Sequence, residues 1–204
     1  MAIDEARLTA LLNLLDEPDE SVWADIRDKI LDMGEETLPE IKSALDNSFT
    51  PLLQSRLKEL IGVLNFQKSS REIKTWSKIG QGSLLSGTMI VERAFNPHIN
   101  ETEYRKQLET IRFDIWLELN QSLNPLEKIK TFNQVLFHVH GFNRFLGNDP
   151  NTLPPLLSSA IEHRSGNEFG SSLVYLILAL ENDLPLQPFL FGKKLFLAYT
   201  NMGE

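Results

Sequence analysis

Apolar residues recur at helical spacing from the start of the chain. Leu8, Leu11, Leu12 and Leu15 share one face, and Glu17-Pro18-Asp19 breaks that run. A second helix uses Val22, Trp23, Ile26, Ile30 and Leu31, with Gly34 as its C-terminal stop. A third is predicted over about 36–46. A fourth opens at Thr50-Pro51, a capping residue followed by proline at the first helical position. Residues 67–80 read as a polar helix bridging two parts of the chain. Further helices are predicted over 83–94, 101–121, 125–140, 154–164 and 170–181, and Asn124-Pro125 and Gly141 bracket the third of these. Two apolar strands, 186–191 and 195–200, meet at Gly192-Lys193 in a hairpin-like turn.

A two-stranded ribbon is marginal on its own. Its edges call for cover, for further residues, or for another chain, so a homodimer through residues 186–200 is one expectation. The helical start carries a weak echo at a spacing of 30 residues: Leu15-Asp16 answers Leu45-Asp46, Val22-Trp23 answers Leu52-Leu53, and Ile30-Leu31 answers Leu60-Ile61. Stacked helix pairs explain such an echo, and the segment 14–34 resembles a HEAT-type repeat. The expected organisation is an acidic HEAT-like region over 1–66, a connecting helix or linker over 67–82, and a second domain over 83–204. The fold class is α+β and mostly helical, with a small antiparallel sheet.

Composition narrows the class. An apolar fraction of 42% and a charged fraction of 24% suit a soluble globular chain. There is no cysteine, which excludes disulfides, thiolate metal sites and a cysteine nucleophile within this sequence. The acidic N-terminus lacks the positive charge of an export signal, and the apolar run 173–180 is far shorter than a membrane span. A cytoplasmic protein is expected, with no membrane partner. Residues 1–66 hold 14 acids against 6 bases and so account for the whole net charge of −8. That half repels phosphate, and no basic stripe with interleaved aromatics follows, so nucleic acid is not an expected partner.

The candidate chemistry is thin. Ser171 and Ser172 are the only plausible substitute nucleophiles near the helix that follows Gly166, yet GSS is not a glycine-flanked elbow, and packing serines are the plainer reading. His163 falls at the end of the preceding helix, where an imidazole commonly caps carbonyls. His138 and His140 are two apart on a helix and point to nearly opposite sides, so no shared metal is expected. Asp114 and Glu118 share a face, as solvated carboxylates usually do. Gly80, Gly82 and Gly87 lack the strand that a nucleotide-binding loop requires and read as an inter-helix turn. Trp116, Phe132, Phe137, Phe142, Phe145, Tyr175, Phe189, Phe191, Phe196 and Tyr199 are expected to be mostly core. The stretch 142–146, in a predicted loop, reads either as a plug in a cleft or as a contact patch.

Four segments carry a resemblance: DIWLELN (114–120), EKIKTFNQVLFHVHGF (127–142), GNEFGSSLVYL (166–176) and KKLFLAY (193–199). Together they resemble the SirB-type branch of the transglutaminase-like superfamily, a branch of bacterial proteins, and the similarity covers most of residues 10–200. The resemblance implies a papain-like core, a central helix on an antiparallel sheet. In active members a cysteine begins that helix, and a histidine and an aspartate sit on adjacent strands. The thiolate attacks an acyl carbon, the imidazole shuttles the proton, and the carboxylate fixes the imidazole tautomer. Here the cysteine position, two residues after the helix-opening glycine, falls on Glu168. The histidine position falls on Lys194, within one residue, and the aspartate position would lie beyond Glu204. The resemblance therefore implies a degenerate, C-terminally short member in which a Glu168–Lys194 ion pair replaces the reactive pair.

The expected function is that of a non-catalytic protein-interaction or regulatory module with no cofactor and no metal. Asp16, Glu17, Asp19, Glu20, Glu35 and Glu36, at helix ends, are its candidate partner-binding residues, although such acids equally serve solubility and helix capping. Glu168 and Lys194 mark the degenerate site, and His163, Ser171, Ser172 and Phe145 are the candidate remnants of a cleft. The competing expectation is an acyl-transfer enzyme, a transamidase or peptidase with an unusual nucleophile or a site completed by a partner. A third is a shortened version of a longer protein.

Overall fold

The computed structural model describes residues 4–79, 82–97, 99–143, 154, 156–192 and 194–200, with Lys194 described in its backbone alone. The chain divides into two compact units, residues 1–98 and 99–204. No helix among the described residues is long and apolar enough to cross a membrane.

The first unit is wholly helical among its described residues. It contains α1 (Glu5–Leu12), α2 (Glu20–Met33), a 3-10 turn (Glu35–Thr37), α3 (Leu38–Asp46), α4 (Pro51–Ile79) and α5 (Leu84–Phe95). The stop and start signals act as the sequence predicts. Gly34 adopts φ 86°, a backbone open to glycine, and ends α2. The Asp19 carboxylate accepts from the Ser21 N–H and opens the same helix. The apolar stripes of α1 to α4 meet in one core of Leu8, Leu11, Leu15, Trp23, Ile26, Ile30, Leu38, Ile41, Leu57, Leu60, Ile61 and Leu64. Helices α2, α3 and α5 all pack on α4.

Residues 67–79 form no separate bridging helix. They continue α4, whose 29 residues run unbroken from Pro51, because no proline or turn signal interrupts the sequence before residue 80. The turn reading holds for Gly82 but not for Gly87, which lies inside α5; a Cβ at Gly82 would lie 2.1 Å, and one at Gly87 2.7 Å, from atoms of the Trp76 indole. The two glycines admit that ring between α4 and α5. Gly80 lies outside the described residues.

The second unit is α+β. Its elements are α6 (Glu101–Glu118), α7 (Pro125–Asn133), a π-helical segment (Gln134–Val139), α8 (Leu157–Glu162), α9 (Glu168–Leu180), β1 (Leu186–Phe191) and β2 (Lys194–Tyr199). Asn124 and Glu127 close a reciprocal capping box at the start of α7. Helix α9 is the hub, packed against α6, α8 and both strands. Its C-terminal half buries Val174, Leu176, Ile177, Leu178 and Ala179, so it is apolar nearly all round, as an interior helix must be. The strands pair antiparallel, with Leu186 opposite Tyr199 and Phe191 opposite Lys194. Gly192, at φ 61°, supplies the left-handed turn between them.

Three expectations change here. The helix predicted to run on to residue 140 widens into π geometry at Gln134, where the His140 N–H donates to the Val135 carbonyl five residues back at 3.0 Å. Helix α8 starts at Leu157 rather than Pro154. The aromatic set is only partly core: Phe132 and Phe142 are buried, but Trp116, Phe137, Phe189, Phe191 and Phe196 are exposed. A ribbon of two strands can bury one face against a helix and leaves the other bare. On α6, Trp116 stacks on Phe113 at 5.9 Å outside the buried stripe of Leu108, Ile111 and Ile115. Phe145 lies outside the described residues.

Candidate functional site

The resemblance assigns the nucleophile position to the N-terminus of α9. Gly166 and Gly170 allow α8 to approach closely, since a Cβ at Gly166 would lie 2.9 Å from the Ala160 Cβ and one at Gly170 3.1 Å from the Leu156 carbonyl. Asn167 caps α9 by accepting from the Gly170 N–H at 2.8 Å. Glu168 is then the first helical residue, exposed, with its carboxylate at the positive end of the helix dipole. Among the described residues it has no ion-pair partner. Lys194 lies at the turn end of β2, and its side chain is outside the described residues, as the expected Glu168–Lys194 contact therefore is.

The hydroxyls beside Glu168 are turned to the backbone. Ser171 Oγ donates to the Gly166 carbonyl at 3.0 Å, and Ser172 Oγ donates to the Glu168 carbonyl at 2.6 Å. His163 Nδ1 lies 2.9 Å from the Ser159 carbonyl, so that nitrogen carries the proton and caps the end of α8. No serine–histidine hydrogen bond forms between them. These groups close helix ends and tighten the α8–α9 turn, which is a structural use of residues that sequence alone left open to catalysis.

Away from α9, the π-helical segment creates a pairing that sequence periodicity hides. His138 is exposed, whereas His140, two residues on, is largely buried with Nε2 2.9 Å from Asp114 Oδ2 on α6. The approach is at ion-pair distance, but the ring N–H is not aligned for a hydrogen bond. Asp114 thus faces the His140 ring as well as solvent, a neighbour that its spacing with Glu118 does not suggest. No group of three or more metal-ligating side chains occurs among the described residues.

Electrostatics single out two more residues of this unit: Tyr175, which the sequence placed only in the core, and Glu181, which sequence reading missed. Burial pushes the Tyr175 phenol up to about 12; its hydroxyl donates to Asn133 Oδ1 at 2.8 Å, and its ring lies 4.6 Å from that of Phe132. Glu181, just past α9, is raised above the usual carboxylate range by burial and by the nearby Glu109 carboxylate, with Arg112 and Arg105 opposing. The Arg112 side chain hydrogen-bonds Glu109 and holds that carboxyl below its ordinary value.

In the first unit, the acids singled out as partner-binding mostly have partners within the unit. Asp16 Oδ1 accepts from Thr50 Oγ1 at 3.0 Å. Asp19 caps α2, and the Ser21 hydroxyl and N–H hold its carboxyl below the ordinary range. Glu20 accepts from Arg56 at 3.0 Å, and Glu35 pairs with Arg71 at 2.6 Å. Glu17 and Glu36 are exposed.

A sequence model described as the transglutaminase-like superfamily matches residues 102–204. Neither a curated protein nor a solved structure matches the chain. The matched half coincides with the helix nested on an antiparallel ribbon, α9 against β1 and β2. Through that half, the chain belongs to the transglutaminase-like superfamily.

Proposed function

We propose that the second unit is a SirB-type transglutaminase-like core that performs no acyl transfer, and that the protein serves in the cytoplasm as a non-catalytic interaction or regulatory module. One observation carries this reading. The position to which the resemblance assigns the nucleophile is Glu168, the first residue of α9, and a carboxylate is a far poorer nucleophile toward an acyl carbon than a thiolate. The adjacent hydroxyls support it, because Ser171 and Ser172 both donate to carbonyls and neither is bonded to an imidazole that could take its proton.

The partner-facing part of the proposal rests on the acidic surplus of residues 1–66, with α1 to α4 as HEAT-like pairs. Asp16, Glu20 and Glu35 are already engaged within the unit, so recognition there would act through the summed negative field and a basic partner more than through any single carboxylate. The Glu168–Lys194 ion pair belongs to the same reading and replaces the reactive pair.

The test has two arms. Purified full-length chain, given a glutamine peptide with an amine acceptor and, separately, an activated ester, is expected to turn over neither. Turnover that Ser171→Ala abolishes would overturn the proposal. Affinity purification followed by mass spectrometry is expected to recover a basic partner that is lost at high salt; retention of the same partner by residues 99–204 without the acidic unit would sink its docking surface.

A further inference from the structure

In the first unit, the connection from α1 to α2 lies against the connection from α3 to α4. Thr50 Oγ1 donates to Asp16 Oδ1 at 3.0 Å, and Arg56 Nη1 donates to the Leu15 and Glu17 carbonyls at 2.9 and 2.5 Å. These bonds hold segments 13–23 and 44–56 together at one end of the helices. Four of the eight large apolar side chains left exposed among the unit's described residues fall in those segments: Leu14, Val22, Phe49 and Leu52, at 52%, 36%, 94% and 38%. Single exposed hydrophobics are ordinary, but a gathering of them at one end calls for a cause. Val22 and Leu52 are counterparts in the 30-residue echo, so each helix pair sends out an apolar side chain from the same place.

Phe49 stands furthest out, yet the backbone on both sides of it is tied down. Ser48 Oγ donates to the Leu45 carbonyl at 2.8 Å, Gln54 Nε2 donates to the Ser48 carbonyl at 2.9 Å, and Thr50 holds Asp16. The ring buries almost nothing against its own unit, while its neighbours are already ordered, so it can meet a partner at little entropic cost. The charge around it is one-sided. Segments 13–23 and 44–56 carry five exposed acids, Asp16, Glu17, Asp19, Glu20 and Asp46, against one base, Arg56, whose side chain is only 4% exposed. An apolar centre inside a charged rim is the anatomy of a protein-binding surface, and a rim of this sign selects cations.

We propose that this end of the first unit docks a basic, amphipathic peptide segment of a partner protein. Phe49, Leu14, Val22 and Leu52 receive its apolar side, and the five carboxylates receive its lysines or arginines. The proposal rests on the acidic docking surface put forward above and gives it the apolar anchor that a negative field lacks. The field sets the sign and rate of encounter, and burial of the Phe49 ring sets how long the partner stays. Charge complementarity decides the occupant. A second copy would bring the same five acids face to face across an isologous contact, and phosphate-bearing surfaces are repelled by them.

Two fluorescent peptides test it on the full chain by anisotropy: a lysine–leucine peptide patterned as an amphipathic helix, and a lysine–serine peptide of equal length and charge. The wild type is expected to bind the first about ten-fold or more tighter than the second. Phe49→Ser, at a side chain that supports no packing, is expected to erase that preference while leaving the weak lysine–serine binding unchanged. Phe95→Ser, at another exposed ring far along the sequence at the end of α5, is expected to keep the preference. Equal affinity of the wild type for both peptides would overturn the inference and leave the acidic docking surface standing; binding of neither would sink both. A preference that survives Phe49→Ser, or that Phe95→Ser removes as well, would place the anchor elsewhere and overturn it. So would a wild-type dimer in sedimentation that Phe49→Ser dissociates, which assigns the face to a second copy, or Phe49-dependent pelleting with phosphatidylcholine vesicles, which assigns it to lipid.

Discussion

Arg56 Nη1 donates a 2.9 Å hydrogen bond to the carbonyl of Leu15, from a side chain that is almost wholly buried. The same nitrogen reaches the Glu17 carbonyl at 2.5 Å, the other reaches Glu20 Oε1 at 3.0 Å, and the guanidinium lies 5.1 Å from the Trp23 ring centroid. One planar fork thus ties the segment after α1 to the start of α4 and to the first turn of α2. Truncation would leave two carbonyls short of a donor and a cavity beside Trp23. Arg56→Ala is expected to cost roughly 2–4 kcal/mol of unfolding free energy by chemical denaturation. Arg56→Lys should recover little of it, since an ammonium cannot span the same acceptors. Glu20→Gln should cost less than about 1 kcal/mol, because that carboxylate is mostly in water.

Glu181 gives a pH dependence with a definite sign. Its carboxyl is raised above the usual range by burial first and by Glu109 second. A raised acid favours the folded state fully below its unfolded value, near 4.3, and withdraws that support as pH rises through the folded value. Glu181→Gln removes the withdrawal. Its melting temperature should match or fall slightly below wild type at pH 4 and exceed it at pH 7. A constant offset at both pH values would contradict the assignment of burial as the main cause.

Much of the architecture was legible in the sequence, because its signals are local. Gly34, Asn124-Pro125 and Gly192 set backbone geometry at the places where helices and the hairpin turn, and alternating or 3.6-residue periodicity filled in the rest. What stayed hidden depends on neighbours distant in sequence. Nothing in QVLFHV announces a π-helical segment, so the meeting of His140 with Asp114 could not be read from spacing measured on an ordinary helix. Arg56 did leave a trace: it occupies the apolar stripe of Leu53, Leu57 and Leu60, where a charge must be paired. At the candidate site the position of Glu168 on the first turn of α9 was legible, whereas the commitment of Ser171 and Ser172 to carbonyls was not, because a hydroxyl's partner depends on the turn around it.

The Trp76 seat makes Gly87 a test of packing against propensity. Alanine in a helix interior gains about 1 kcal/mol over glycine where space allows. Here the new Cβ would stand 2.7 Å from two carbons of a rigid indole. Overpacking of that kind costs about 1–3 kcal/mol, so Gly87→Ala should be neutral to destabilising rather than stabilising. The sign should reverse in a Trp76→Leu background, where the smaller side chain gives way. A double-mutant cycle by urea denaturation reads the coupling directly, and additive effects would exclude the contact as its source.

Tyr175 supplies the alkaline counterpart to Glu181. Its phenol is pushed up to about 12 by burial, from an ordinary value near 10. The folded state therefore holds the proton more tightly than the unfolded chain does. The stability this confers is complete below pH 10 and is lost as pH climbs from there toward 12. Tyr175→Phe keeps the ring against Phe132 and removes only the hydroxyl and its bond to Asn133. At neutral pH that loss should cost roughly 0.5–1.5 kcal/mol, the net worth of one buried hydrogen bond. Above pH 10 the wild type should weaken faster than the variant, and their melting temperatures should converge. Parallel alkaline profiles for the two proteins would mean that this phenol ionises as freely folded as unfolded, and that water reaches the junction of α7 and the π-helical segment.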